Sequence, residues 1–451
     1  MNIGIDAISF DIPSIYLPIA SLAKHRNIEP AKLEKGLGLH KMAFPDVHQD
    51  SVVFAANALK KLIEQHELTP MNIDRIYVGT ESAVDGSKPI ATYVHSLMEE
   101  TLFTTGALSH CDVVDLMFAC IGGVDALQNC LDYIKANPTK KAVVITTDIA
   151  KYDLASTGEY TQGAGAVALY ITANPRIMAF NEDWAVSTQG VFDFFKPHHT
   201  VSKESIGIKN NDPWQDVLET EISIHKQQPV FDGQYSNQCY LDRVKDAYTR
   251  LKEMKNSEGS LHETWHSVVM HLPYCFQARR IFTQLYIADS SHAKAYKTAE
   301  DPKDFLKTFS KSEEYENFIQ QKIYPTEIAS GQIGNMYAGS IFMALLSALS
   351  HHEEQDDDIT GKTFGFLAYG SGSKSKAFEG VIQPDWRDAL APTKLFETLG
   401  NCTPITVEQY KQLHKKELDQ SILTLKNEFV LDFVEQENPV LRGARYYRWS
   451  N

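Results

Sequence analysis

Residues 112–125 read DVVDLMFACIGGVD and predict a strand, a tight turn and a helix, with Cys120 at the turn. The apolar run Val113–Phe118 ends there, and apolar residues at 124, 127, 131 and 134 then follow the spacing of one helix face. A thiol at a helix N-terminus is expected to favour the thiolate, with a pKa below the free value of roughly 8.5. Cys120 is therefore a candidate nucleophile, and the alternative is a buried cysteine that only packs.

The composition describes a globular protein of 451 residues, long enough for two or three domains. No apolar run reaches the roughly 20 residues of a membrane span. The N-terminal stretch MNIGIDAISF lacks the pattern of a signal peptide, so we expect a cytoplasmic protein with no membrane partner. The net charge of −15 weighs against nucleic acid and means that an anionic substrate needs a local basic patch.

The six cysteines stand at positions 111, 120, 130, 239, 275 and 402. They form no CxxC pair and no close cluster with histidines, which argues against structural zinc and against a disulfide scaffold. We therefore expect no bound metal.

Strands and helices alternate along the chain, and polar residues follow several of the strands. Ile73–Gly79 reads as a strand that runs into Glu81, and Ser267–Met270 as a strand that ends at His271. This alternation predicts an α/β fold with mainly parallel sheets covered by helices. Glu81 is a candidate acid or base, and the alternative is an exposed loop carboxylate.

The pattern recurs in both parts of the chain, which indicates a duplication. We assign residues 1–173 to an N-terminal half with Glu81 and Cys120. Residues 174–451 form a C-terminal half with His271, Asn335 and Ser371, and include an irregular insertion at about 195–262. The aromatic segment Arg445–Trp449 is expected to pack against the rest of the protein.

Seven motifs, in order along the chain, resemble those of the hydroxymethylglutaryl-CoA synthase family of thiolase-fold condensing enzymes. They are GTESAVDGSK around Glu81, FAC at Cys120, TGEYTQGAGAVAL at 157–169, FDFFKP at 192–197, HLPY at His271, IGNMYAGS at Asn335 and YGSGS at Ser371. Each motif alone is weak, whereas seven in family order from Ile3 to about Ser373 are specific.

The resemblance implies a thiolase-like fold, in which duplicated halves form a five-layer α/β/α/β/α sandwich, and a homodimer. It implies an acyltransferase of the mevalonate pathway of isoprenoid synthesis. That enzyme condenses acetyl-CoA with acetoacetyl-CoA and water to give 3-hydroxy-3-methylglutaryl-CoA and CoA, through an acetyl-Cys120 intermediate. The resemblance implies no cofactor, because coenzyme A is carried by the substrates.

The same resemblance assigns roles to individual residues. Cys120 becomes the acylated nucleophile, Glu81 the general acid/base and His271 a contact to the acetoacetyl group. The implied substrate-binding residues are Glu29, Tyr152, Thr161, Ser236, Arg279, Arg280, Asn335, Tyr369 and Ser371. Ile121 and Tyr160 depart from the family pattern, in which an aromatic residue and a proline are common at these positions.

The chemistry of the reaction needs the same kinds of side chain. A thiolate can hold an acetyl group, a carboxylate can remove a proton from the acetyl carbon, and an imidazole with an amide can polarise a ketone. Since a thiolate at a helix terminus needs no base, we expect Glu81 to act in carbon–carbon bond formation and not in acylation.

Three other readings remain open at this point. The same condensation could use acyl-carrier-protein substrates, as in polyketide β-branching. A thiolase or ketoacyl synthase would place other residues around its cysteine, and a catalytically inactive scaffold would not need the three catalytic side chains. For the arginine pair at 279 and 280, the alternative to a CoA-binding patch is a solvated helix face.

Overall fold

The computed structural model describes residues 1–207 and 220–451. Part of the predicted insertion, residues 208–219, lies outside this range. The strands of the described residues are β1 Ile3–Asp11, β2 Ile15–Pro18, β3 Lys41–Ala43, β4 Arg75–Gly79, β5 Asp112–Leu116, β6 Ala142–Ala150, β7 Gly163–Ala173, β8 Met178–Phe180, β9 Ala185–Thr188, β10 Phe194–Phe195, β11 His198–Ser202, β12 Glu221–His225, β13 Val230–Phe231, β14 Ser267–Met270, β15 Thr363–Gly370, β16 Lys374–Ile382, β17 Thr403–Pro404, β18 Glu428–Val434 and β19 Arg445–Ser450.

The helices of the same residues alternate with these strands. They are α1 Ile19–His25, α2 Pro30–Leu37, α3 Ser51–Gln65, α4 Ile90–Thr101, α5 Gly122–Ala136, α6 Gly233–Met254, α7 Leu261–Thr264, α8 Gln277–Ala288, α9 Ala293–Lys297, α10 Pro302–Phe309, α11 Glu313–Phe318, α12 Tyr324–Glu327, α13 Ser330–Ile333, α14 Ser340–Glu354, α15 Trp386–Leu390, α16 Leu395–Asn401 and α17 Val407–Lys415. Within the described ranges, none of them is long and apolar enough to cross a membrane.

Ten strands form one mixed sheet, in the order β14-β15-β16-β8-β1-β7-β6-β4-β5, with β9 paired to β16. The short strand β8 pairs with both β1 and β16 and so connects the two halves of the chain. The prediction of mainly parallel sheets is wrong, because β1, β7 and β6 pair antiparallel, as do β15 and β16. Strands β6–β7 and β15–β16 follow each other without a crossover helix, and such short connections join antiparallel strands.

The central strands bury both faces, which places helices on each side of them. In β6, Val143 and Ile145 pack with α3 and α4, whereas Ala142 and Val144 pack into the core that contains α5 and α14. On the C-terminal half, α6 packs on β9, β15 and β16. The order from α3 and α4 through the shared α5 and α14 to α6 is that of a thiolase-like α/β sandwich.

The segment predicted as irregular contains regular structure in its described part. β10 pairs with β13, and β11 pairs with β12, as two short antiparallel ladders. The 22-residue helix α6 then begins at Gly233, because the Asp232 side chain accepts hydrogen bonds from the Gln234 and Tyr235 N–H groups.

The C-terminal segment packs against the N-terminal half, as the sequence predicts. β19 pairs with β18, and the Trp449 ring lies 5.0 Å from the Phe429 ring in an edge-on contact. The Tyr447 hydroxyl donates a hydrogen bond of 2.8 Å to Asp50, the N-cap residue of α3. The end of the chain is thereby fixed to the start of a core helix.

Candidate active site

A cavity of about 590 Å³ opens where the loops after β5, β14 and β15 meet. Residues of both halves line it. From the predicted site they include Cys120, Tyr152, Thr161, Ser236, His271, Arg280, Asn335, Tyr369 and Ser371.

Cys120 and Glu81 meet because their strands are parallel neighbours. β4 pairs with β5 so that Gly79 lies opposite Leu116, and the chain leaves both strands at the same edge of the sheet. The Cys120 Sγ donates to Glu81 Oε1 at 3.3 Å. Ala119, next to the cysteine, has a φ of 39°, a strained value for a residue that is not glycine. The nucleophile therefore sits on a sharp turn beside a carboxylate.

The prediction of a lowered pKa for the Cys120 thiol is wrong. Burial raises the pKa well above its usual value, and the negative charges of Glu81 and Asp148 raise it further. The positive charge of Lys196 acts in the opposite direction. Only 8% of the residue is exposed, so loss of solvent outweighs the N-terminal end of α5. The resting side chain of Cys120 is therefore a thiol with a proton acceptor beside it.

Glu81 is held through both its carboxylate and its backbone. Its Oε2 forms an ion pair of 2.9 Å with the Lys196 ammonium, and its backbone N–H donates to Asp148 at 2.9 Å. The Glu81 side chain is only 7% exposed, so the alternative of a solvated loop carboxylate does not describe this residue.

Asp148 forms hydrogen bonds to backbone groups of both halves of the chain, one of them at Glu81. Its side chain accepts from the Glu81 N–H on one oxygen and from the Ala338 N–H, at 2.9 Å, on the other. Burial, followed by the charge of Glu81, raises the pKa of Asp148 to about 7. This carboxyl group therefore positions the backbone on both sides of Cys120.

His271 follows β14 directly and is 1% exposed. Burial lowers the pKa of the imidazole to about 3, so the ring is neutral at physiological pH. Its Nδ1 has no hydrogen-bond partner among the described residues. A neutral imidazole carries one N–H donor and one lone pair, and it can therefore polarise a substrate oxygen without bringing a charge.

Asn335 presents its amide to the same cavity. The amide oxygen accepts from the Tyr337 N–H at 2.8 Å and from the Ser340 hydroxyl at 3.1 Å. Because both bonds use the oxygen, the amide nitrogen is left to donate, and it meets the Tyr152 hydroxyl at the cavity wall. Asn335 thus supplies an N–H donor to the cavity that His271 also lines.

A second buried carboxylate, that of Asp193, accepts hydrogen bonds from residues around the cavity. It accepts 2.7 Å hydrogen bonds from the Tyr369 hydroxyl and the Gly372 N–H, and the Ser236 hydroxyl lies at 3.5 Å. The Tyr369 ring stacks on Tyr240 at 4.5 Å. Tyr369 and Ser236 are therefore held by one fully buried side chain.

Two of the predicted binding residues do not line the cavity. The Arg279 guanidinium pairs with the buried carboxylate of Glu327 and lies 3.6 Å from the Phe276 ring centroid. Glu29 is exposed at the N-cap of α2. Arg280 remains at the cavity, where it donates to the Gly36 carbonyl at 2.6 Å. Arg279 and Arg280 therefore do not form a joint basic patch.

Lys196, Asp148 and Asp193 were not identified as site residues from the sequence. The signals were present but weak: Asp193 and Lys196 lie in FDFFKP, and Asp148 ends the apolar strand KAVVITTD. Of the two departures from the family pattern, Tyr160 lines the cavity and Ile121 is fully buried. In the described part of the chain, no three His, Cys, Asp or Glu side chains come together as a metal site.

Comparison with known protein families gives two matches that together span most of the chain. Residues 1–176 match the family described as hydroxymethylglutaryl-coenzyme A synthase N terminal. Residues 222–427 match the corresponding C-terminal family.

Individual proteins match over nearly their whole length. A hydroxymethylglutaryl-CoA synthase of Haloferax volcanii is 30% identical over 443 residues, covering 92% of this chain and 91% of that protein. The Enterococcus faecalis protein of the same name is also 30% identical, with 95% and 96% covered. A solved structure of MvaS in complex with 3-hydroxy-3-methylglutaryl coenzyme A has a TM-score of 0.81 at 27% identity, covering 100% of this chain and 99% of the other.

Proposed function

The chain belongs to the hydroxymethylglutaryl-CoA synthase family, and we propose that Cys120, Glu81 and His271 carry out its condensation of acetyl-CoA with acetoacetyl-CoA. The contact between the Cys120 thiol and the Glu81 carboxylate carries this assignment, because it places a base 3.3 Å from a nucleophile that lines the cavity. The activity is that of an acyltransferase in the mevalonate pathway.

In the first step, the Cys120 sulfur attacks the carbonyl carbon of acetyl-CoA. Its proton passes to Glu81 Oε1, the acceptor 3.3 Å away. This gives Glu81 a role in acylation as well, contrary to the expectation from the sequence, because the buried thiol keeps its proton and needs an acceptor. The bond between the acetyl carbon and the CoA sulfur breaks, and Glu81 passes the thiol proton to the CoA sulfur, which returns Glu81 to the carboxylate. The acetyl group is then held as a thioester, whose methyl hydrogens stay acidic enough for the next step.

In the second step, Glu81 removes a proton from the acetyl methyl group, and the resulting carbon attacks the ketone of acetoacetyl-CoA. Negative charge develops on the ketone oxygen. The His271 imidazole and the Asn335 amide nitrogen are the donors available to stabilise it, and a proton then completes the new hydroxyl group. Water finally cleaves the Cys120 thioester and releases 3-hydroxy-3-methylglutaryl-CoA.

We propose coenzyme A thioesters, rather than carrier-protein thioesters, as the substrates. Arg280 supports this choice, because it places an exposed cation at the cavity of a protein with a net charge of −15. The similarity to a structure that contains 3-hydroxy-3-methylglutaryl coenzyme A also favours it. We further propose a cytoplasmic homodimer, which light scattering and cell fractionation would test.

The experiment is mapping of the acetyl group. Incubation with labelled acetyl-CoA alone, followed by digestion and mass spectrometry, should place the label on Cys120. Cys120→Ala should lose both the label and turnover, and Cys120→Ser nearly the same, because an alcohol is far less ionised at neutral pH. Cys130→Ala is the matched control, since that cysteine is buried in the core on α5. Label on another cysteine, or no label, would contradict the assignment.

A parallel assay compares substrates. Wild-type protein should form product from acetoacetyl-CoA faster than from the acetoacetyl carrier protein. The reverse order would assign the site to carrier-protein substrates while leaving Cys120 as the nucleophile.

A further inference from the structure

Lys196 directly follows the two-residue strand β10, and its ammonium lies against the Glu81 carboxylate. The Lys196 Nζ is 2.9 Å from Glu81 Oε2, and the two side chains are 12% and 7% exposed. The other carboxylate oxygen, Oε1, accepts from the Cys120 thiol. One oxygen of the base is therefore occupied by a cation, and the other faces the nucleophile.

The lysine is held in place by aromatic side chains of the cavity wall. β10 pairs with β13, which places Phe194 opposite Phe231, and both rings border the cavity. The Lys196 Nζ lies 4.5 Å from the centroid of the Tyr337 ring, within the range of a cation–π contact. The C-terminal half thus supplies a fixed cation to a carboxylate of the N-terminal half.

The charges around Glu81 explain why a cation is needed there. Its own negative charge raises the pKa of four neighbouring groups, which are Cys120, Asp148, Tyr152 and Tyr337. The positive charge of Lys196 lowers the pKa of Cys120 and Asp148. Two carboxyl groups share this buried site, and without a cation their mutual repulsion would favour the protonated form of one of them.

We propose that Lys196 is a positioning residue of the reaction, which holds the Glu81 carboxylate through its Oε2 and so turns its Oε1 toward Cys120 and the acetyl group bound there. The inference rests on the proposed function, because a base is needed only if the condensation takes place at Cys120. Lys196 acts through Glu81 and is not required to touch the substrate.

The test compares Lys196→Met and Lys196→Arg with the wild-type protein. The methionine has a similar length and no charge, whereas the arginine keeps the charge. Lys226→Met is the matched control, since Lys226 lies nearby in the chain and forms an exposed ion pair of 3.1 Å with Asp153. The readouts are the pH profile of condensation and the extent of acetylation of Cys120.

We expect Lys196→Met to lower kcat/KM at pH 7 about tenfold or more. This is less than the effect of removing a general base, because Glu81 itself remains. The acid limb of its pH profile should move to higher pH by about one unit, because loss of an adjacent opposite charge favours the protonated carboxyl. Lys196→Arg should keep the wild-type limb, and Lys226→Met should match wild type throughout. An unshifted limb in Lys196→Met would overturn the inference, whereas a wild-type protein without condensation activity would overturn the proposed function.

A double variant covers the case in which Lys196→Met fails to fold. In the Glu81→Gln background the partner charge is gone, so adding Lys196→Met should neither lower the unfolding temperature nor reduce Cys120 acetylation further. Recovery of folding in the double variant supports the pairing. A further loss in the double variant would show that Lys196 acts independently of Glu81 and would overturn the inference.

Discussion

The thiol of Cys120 and the imidazole of His271 are both held in their neutral forms by burial. The pKa of the thiol is raised, and that of the imidazole is lowered to about 3. Neither group therefore adds a charge to the cavity beside which Glu81 lies in contact with Cys120. A site with few fixed charges suits a reaction in which negative charge develops on substrate oxygens and must be met by oriented donors.

The Glu81→Ala variant should distinguish acetylation of Cys120 from the condensation step. The thiol has lost its neighbouring acceptor, so acetylation should become slower but still reach completion, because solvent can accept a thiol proton. The acetyl methyl group is a far weaker acid, so condensation should fall about 10²-fold or more, the range for a general base. Rapid-quench labelling with acetyl-CoA and a steady-state condensation assay measure the two effects.

Exchange of the acetyl methyl hydrogens with deuterated solvent gives an independent check on this variant. Wild-type protein should show the exchange, and Glu81→Ala should not. Condensation at the wild-type rate in Glu81→Ala would leave the base unidentified. The matched control is Glu159→Ala, which changes a buried carboxylate that pairs with Arg26 and does not contact Cys120.

At the scale of secondary-structure elements, two adjacent arginines of α8 have different surroundings. Arg279 pairs with Glu327, whose pKa burial raises to about 7, whereas Arg280 is exposed at the cavity. Residues next to each other on a helix point in different directions. The first arginine is thus held by an ion pair with a buried carboxylate, whereas the second is exposed at the cavity.

Arg280→Gln should raise the KM for acetoacetyl-CoA about fivefold, the effect of one exposed charge contact, with little change in kcat. A contact to a CoA phosphate is equally strong in the ground state and in the transition state. Its loss therefore weakens substrate binding without changing kcat. Arg280→Lys should restore much of the affinity. Arg279→Gln should instead lower the unfolding temperature, because it leaves Glu327 buried without its partner. Unchanged KM values in Arg280→Gln would identify Arg280 as a solvated helix residue.

Elements and catalytic residues differed in how far the sequence could predict them. The helix predicted directly after Cys120 is observed as α5, because its apolar spacing is local information. The direction of β7 was not predictable in the same way, since it depends on a connection without a crossover helix. Glu81 and Cys120 each follow a strand that the sequence predicts, and these strands are parallel neighbours, whereas Lys196 is brought to them by a two-residue ladder that has no periodicity.

At the scale of the whole molecule, contacts between distant parts of the chain support the site. Asp148 binds the backbone of both Glu81 and Ala338. The tail strand β19 secures the start of α3, and the Thr147 side chain donates at 2.6 Å to Ser51 at the first turn of that helix. The end of the chain is therefore connected through α3 to β6, the strand that carries Asp148.

Tyr447→Phe tests this long-range support. The variant keeps the ring contacts but removes the hydroxyl that donates to Asp50, and it leaves Arg445, at 3.1 Å, as the remaining charged partner of that carboxylate. Asp50 is partly buried, with 13% of its side chain exposed, and caps α3 through the Val52 and Val53 N–H groups. The lost hydrogen bond should therefore cost about 2 kcal/mol, as for bonds to charged groups. Thermal and urea unfolding measure the change.

Tyr446→Phe is the control for this variant, because Tyr446 is the neighbouring residue of β19, is 39% exposed and stacks on Phe433. It should unfold like the wild type. Because no α3 residue lines the cavity and the other contacts of Ser51 remain, Tyr447→Phe should keep wild-type kcat and KM below its unfolding transition. Equal stability of the two variants would mean that the tail adds little to α3, and a loss of activity without a loss of stability would place the tail in contact with the catalytic residues through another route.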